Sequence, residues 1–197
     1  MKLKSSVPAK IALFSATIIW GSSFFIMKTT VDNLPPFLLL AVRFIISALL
    51  LAVLFIKRMR KCTLDILWRG SVLGVLIFLG YAFQTFGLMQ TTPGKNAFLT
   101  TVYCVMVPFL YWLFAKTKPD AYNISASFIC IAGIALVSFN EQITMGMGDF
   151  LTLVCGLFYA LHIVGVAKFS KGRDIIVLTI IQFAAAGLLS LVLGRSE

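Results

Sequence analysis

Charge is what this chain has least of. Asp, Glu, Lys and Arg make up 12% of its 197 residues, about half the share usual in a soluble domain. A hydrophobic content of 60% and a mean hydropathy of +0.99 complete the exclusion of a soluble fold. Acids are scarcest of all. The seven are Asp32, Asp65, Asp120, Glu141, Asp149, Asp174 and Glu197, and each lies at the end of an apolar stretch or between two of them. No carboxylate is therefore available at mid-membrane as the usual proton- or sodium-coupling group. Histidine occurs once, as His162, and the cysteines (Cys62, Cys104, Cys130, Cys155) form no C-x-x-C pair. That leaves a zinc site of ordinary ligand count without ligands, and the cysteines read as small, polarizable core residues. There is no H-E-x-x-H, no G-x-S-x-G and no P-loop, so nothing supports an enzyme, and no cofactor or metal is expected.

What is present is apolar and long. Seven stretches approach spanning length, at approximately 9–28, 37–56, 69–90, 96–115, 122–139, 149–167 and 175–193. About 20 apolar residues are needed to cross a bilayer core as a helix, and none of the stretches alternates as a barrel strand would. The fold expected is all-α, a polytopic transmembrane bundle of seven spans embedded in the lipid bilayer. Pro119-Asp120 is expected to open the fifth span, and Asp149 to cap the sixth after Gly146-Met147-Gly148.

A net charge of +10 would suggest nucleic acid in a soluble protein, but its placement argues otherwise. Thirteen of the seventeen Lys and Arg residues fall at one set of span ends (Lys2, Lys4 and Lys10; 57–69; Lys116 and Lys118; 168–173). Three (Lys28, Lys95, Arg195) fall at the other. The asymmetry places the N-terminus in the cytoplasm, with an uncleaved first span in a cytoplasmic membrane, and no nucleic-acid partner.

A shift of 139 residues lays the first two spans on the last two. Leu39, Phe44, Leu49, Leu50, Val53 and Leu54 then match Leu178, Phe183, Leu188, Leu189, Val192 and Leu193; Trp20 falls on Tyr159 and Arg43 on Gln182. Five spans separate the copies, so the second enters the membrane upside down. Inverted-topology repeats of this kind build many secondary transporters.

Residues 20–25 (WGSSFF), Arg43-Phe44, residues 81–88 (YAFQTFGL), residues 96–100 (NAFLT), Pro108 and Gly148-Asp149 occur in this order along the chain. In that order they resemble the drug/metabolite transporter superfamily, EamA type. The resemblance implies a permease that moves a small organic metabolite, amino-acid-like or drug-like, by alternating access, with export the expected direction. It also implies two inverted five-helix repeats around a central cavity. Against that pattern, residues 1–142 would form one complete repeat and residues 143–197 the first two helices of the second. The alternative is a non-transporting membrane protein: an inactive truncation, or a subunit completed by a partner chain or a second copy.

Six residues are candidates for binding a small-molecule substrate: Arg43, Trp20, Tyr81, Gln84, Tyr159 and His162. Arg43 is a cation about 10 Å inside its span at 1.5 Å per residue. Such residues tend to be functional. It would hold an anionic group, or else snorkel outward or pair with Asp32 or Asp149. Gly80, Gln84 and Gly87 share one helical face, which serves either as a packing seam or as a cavity wall. Trp20 lies too deep for an interfacial belt, so it belongs to the core or to a cavity. His162, one turn after Tyr159, serves a structural hydrogen bond or a proton relay. Pro108 cannot donate to Cys104 O, so a kink is expected in the fourth span.

Overall fold

The computed structural model describes residues 7–31, 33–116, 118–139 and 145–195, and the side chains of these except at 137–139. Among them there are helices and no strand. The helices are α1 (Val7–Val31), α2 (Pro36–Leu54), α3 (Leu64–Met89), α4 (Pro93–Thr100), α5 (Val102–Ala115), α6 (Ala121–Phe139), α7 (Met147–Phe169) and α8 (Ile175–Leu193). A 3-10 turn at Ile56–Lys61 links α2 to α3. Six helical units are long and apolar enough to cross a membrane, α4 and α5 counting together, and α6 adds a shorter apolar helix. The protein is a multi-pass membrane protein.

Helix ends follow local chemistry. Thr63 Oγ1 accepts from Ile66 N at 3.3 Å, which starts α3 five residues before its apolar run. Asp120 Oδ1 accepts from Asn123 N at 2.8 Å at the head of α6, as its position after Pro119 suggests. At α7 the expectation is corrected. The cap position is Gly146, and Asp149, three residues on, accepts from Gly146 N at 3.1 Å. This is the reciprocal half of a capping box, made without a capping side chain. The fourth span is divided, and not at Pro108. Its interruption is Thr101, where Thr101 N and Cys104 N make i→i+3 bonds, while α5 continues through Pro108.

α3 is the central helix. Its Gly70 and Gly74 face α8, where a Cβ added to Gly74 would stand 2.6 Å from Ala185 Cβ and 2.7 Å from Gln182 O. Higher on the same helix, Gly80 and Gly87 pack against α7, while Gln84 between them lines a cavity, so the face serves as both seam and wall. Lipid supplies no hydrophobic force between helices, and close approach over glycine is what holds them. α2 completes the core, with Leu40 and Phe44 buried against Phe78, Ala82 and Ala186. α1 lies at the periphery, and Val31 is its one buried residue.

Asp174 caps α8 through Ile176 N at 3.1 Å. Burial opposes its charged form, but the N–H groups of Ile176 and Val177 and the cations Arg58 and Lys61 outweigh it. The carboxyl is held below its ordinary pKa. A carboxylate so lowered stabilises the fold above the unfolded-state value and loses that contribution as pH falls. Asp174→Asn keeps the cap and removes the charge. We expect it to melt a few degrees below the native chain at neutral pH, with the gap closing on acidification. Thermal unfolding in detergent at pH 7 and pH 3.5 checks this.

Candidate functional site

Helices α1, α3, α4, α5, α7 and α8 enclose a largely apolar cavity of about 540 Å3. Trp20 enters it from α1, Tyr81 and Gln84 from α3, and Tyr159 and His162 from α7. A narrow cleft beside it holds Arg43 of α2 and shares Trp20, Tyr81 and Gln84 with the cavity. The six residues singled out from the sequence thus stand in one place, with Arg43 behind the cavity wall. Trp20 is 60% exposed, which settles its position as wall and not core.

Arg43 is held by soft contacts. Its guanidinium carbon lies 5.2 Å from the Tyr81 ring centroid, and one terminal nitrogen donates to Met27 Sδ at 2.9 Å. No carboxylate among the described residues pairs with it. Asp32 lies outside the described residues. Asp149 is engaged elsewhere, with Lys95 Nζ at 2.7 Å. A cation supported by a ring face and a thioether keeps most of its donors for another partner.

The aromatic wall is one edge-to-face chain. Phe44 meets Tyr81 at 5.2 Å and 90°, Tyr81 meets Tyr159 at 5.4 Å and 80°, and Tyr103 meets Tyr159 at 6.3 Å and 88°. Such pairs hold ring orientation as well as burying area. Gly80 makes this possible, because a Cβ there would stand 2.7 Å from the Tyr159 ring.

A polar chain runs behind the rings. Tyr159 OH donates to Gln84 Oε1 at 3.1 Å, and Gln84 Nε2 donates to Thr100 Oγ1 at 3.1 Å. Thr100 Oγ1 donates back to Asn96 O at 2.8 Å. Asn96 Nδ2 donates to Thr152 Oγ1 at 2.7 Å and to Gln84 O at 3.3 Å. These bonds orient the Gln84 amide and leave one Nε2 hydrogen for a ligand. His162 Nε2 and Gln182 Oε1 stand 2.8 Å apart, within hydrogen-bond distance. Gln182 is the residue that the 139-residue shift pairs with Arg43.

Sequence reasoning did not assign Asn96, Thr100, Tyr103 and Thr152 to the site. Asn96 and Thr100 carry a signal in retrospect: they are polar, spaced i, i+4, and near the start of an apolar span. Thr152 and Tyr103 carry none, since single polar residues in spans are common.

Residues 8–139 match the EamA-like transporter family, and the chain belongs to that family. It is 31% identical over 163 residues to an uncharacterized transporter of Archaeoglobus fulgidus, covering 83% of this chain and 50% of that protein. A second uncharacterized transporter of the same organism is 31% identical over 176 residues, covering 85% of this chain and 60% of that protein. The uncharacterized transporter YoaV of Bacillus subtilis is 24% identical over 159 residues, covering 79% and 54%. The chain therefore spans about half the length of these curated relatives. No solved structure is significantly similar to it.

Proposed function

We propose that this chain carries the substrate site of a permease, which moves a small amphipathic organic anion or zwitterion across a cytoplasmic membrane by alternating access, in the export direction. The observation that carries the reading is a 540 Å3 aromatic cavity beside a half-buried cation, Arg43, that has no carboxylate partner among the described residues. Arg43 would take the anionic group, Tyr81, Tyr159 and Trp20 would pack on apolar parts, and Gln84 and His162 would fix orientation. The N-terminus would be cytoplasmic.

The division into an N-terminal repeat, 1–142, and an inverted partial repeat, 143–197, belongs to the same proposal; residues 140–144 lie outside the described residues. A contact at the interface supports it. Phe44 and Phe183, equivalent under the 139-residue shift, meet each other with ring centroids 5.8 Å apart. Self-pairing of equivalent positions is what a two-fold axis produces. Trp20 and Tyr159, the next equivalent pair, both line the cavity.

Ligand binding tests the site. Reconstituted chain should bind anionic amphipathic metabolites with quenching of Trp20 fluorescence, and Trp20→Phe should abolish the signal. Arg43→Gln should weaken anionic ligands about tenfold to a hundredfold, as expected when a charge-assisted bond worth about 1.5–3 kcal/mol is lost, while leaving the unfolding midpoint within a few degrees. Equal affinity in Arg43→Gln would remove Arg43 from the site. A second reading, a subunit completed by a partner chain or a second copy, is favoured by the sparse burial of α1 along the cavity. Uptake by liposomes containing only this chain decides between them.

A further inference from the structure

The lysine- and arginine-rich end of the bundle has a second cavity, of about 810 Å3, that the site above does not use. It lies between the 3-10 turn and the start of α3 on one side and the α7–α8 turn on the other. Four cations line it, Arg58, Lys61, Lys171 and Arg173, against two acids, Asp65 and Asp174. The acids hold only one of these cations tightly, Arg173 through Asp65. Asp174 stands 3.5 Å from both Arg58 and Lys61, too far for tight charge-assisted bonds. Asp65 is shared between Arg69 and Arg173. Lys171 makes no ion pair among the described residues. α3 and α8 both begin at this cleft, so the positive ends of two helix dipoles add to the surplus.

The cleft also has an apolar rim. Ile175, which lines the cleft, is 52% exposed, and Leu64, between the lining residues Thr63 and Asp65, is 84% exposed. A phosphate in the cleft would meet the cations, and an acyl chain attached to it would run along this rim. We propose that the cleft binds the phosphate head group of an anionic phospholipid and so ties the α2–α3 and α7–α8 connections together. Basic pockets between spanning helices are suited to such head groups. A soluble phosphate would use the same cations, and the rim is what favours the lipid.

The test is native mass spectrometry of the full chain released from detergent, titrated with phosphatidylglycerol, with phosphatidylcholine, and with inorganic phosphate as competitor. Phosphatidylglycerol should bind about tenfold more tightly than phosphatidylcholine, resist millimolar phosphate, and lose about fivefold in affinity per cation removed. Arg58→Gln/Lys61→Gln tests the paired cations. Lys171→Gln tests the cleft without breaking an ion pair, so it remains readable if the double variant unfolds. Equal binding of the two lipids, or unchanged phosphatidylglycerol binding in Lys171→Gln, overturns the proposal. Displacement by inorganic phosphate overturns the lipid as occupant.

Discussion

Asp149→Ala is expected to destabilise the fold by about 3–5 kcal/mol, the usual consequence of leaving one member of a buried ion pair alone. The Asp149 side chain is 4% exposed and that of its partner Lys95 11%, with Nζ to Oδ2 at 2.7 Å. Asp149 also accepts from Thr91 Oγ1 at 3.1 Å and from Gly146 N at 3.1 Å. Removing it strands a buried ammonium and two donors at once, at the point where the α3–α4 turn is fastened to the head of α7. Lys95→Met should cost less, because the carboxylate keeps its two other donors and the favourable end of the α7 dipole. The double variant Lys95→Met/Asp149→Ala should be more stable than Asp149→Ala alone, since no buried charge is left unpaired. Chemical unfolding in micelles measures the three. Additive effects in the double variant would show that the two residues do not act as a pair.

The second large effect belongs to the α3–α7 crossing. Gly87→Val is expected to yield no properly packed protein. Even a Cβ at Gly87 would lie 2.5 Å from Thr152 Oγ1, 2.9 Å from Gly148 O and 3.2 Å from Thr152 N. Two of those neighbours are backbone, so the helices must separate. Gly148 makes the reciprocal demand, with 2.9 Å to both Gly87 O and Gln90 C. Separation would also pull Thr152 from Asn96 and so loosen the chain that orients Gln84. Gly133→Val is the control, because nothing stands within 4 Å of a Cβ there. Monodisperse elution in detergent, expected for Gly133→Val and lost for Gly87→Val, checks the pair. Monodisperse, stable Gly87→Val protein would refute the close crossing.

These predictions mark where sequence reading stopped. Arg43, Gln84 and the glycines around it were visible because each breaks the apolar pattern of its span. A polar or very small residue in a bilayer needs a reason to be there. Asp149 was visible as a helix start and as a possible partner of Arg43, and its actual partner Lys95 only as a loop cation. Nothing in a span of 54 residues between them indicates that they meet. The interruption at Thr101 was hidden for another reason. Proline carries a known backbone cost, and it drew the expected kink to Pro108, whereas side-chain and i→i+3 bonds around Thr101 open the helix without any marker residue.

Sequence alone determined the solvent, the helical class and the ends of most of the apolar helices; of the seven spans it predicts, six reach spanning length and the fifth is shorter. Those properties follow from local hydropathy and from the need to satisfy every backbone group within one segment of chain in lipid. It also brought out the family resemblance and the six residues around the cavity, one by one. Their meeting was decided only by tertiary structure, which joins α3 to α7 and α8, and α8 to α2, across glycine contacts, sets α1 along the cavity, and rotates each helix about its axis. Helix rotation and crossing depend on which small residues face each other across distant segments, and hydropathy carries no record of that.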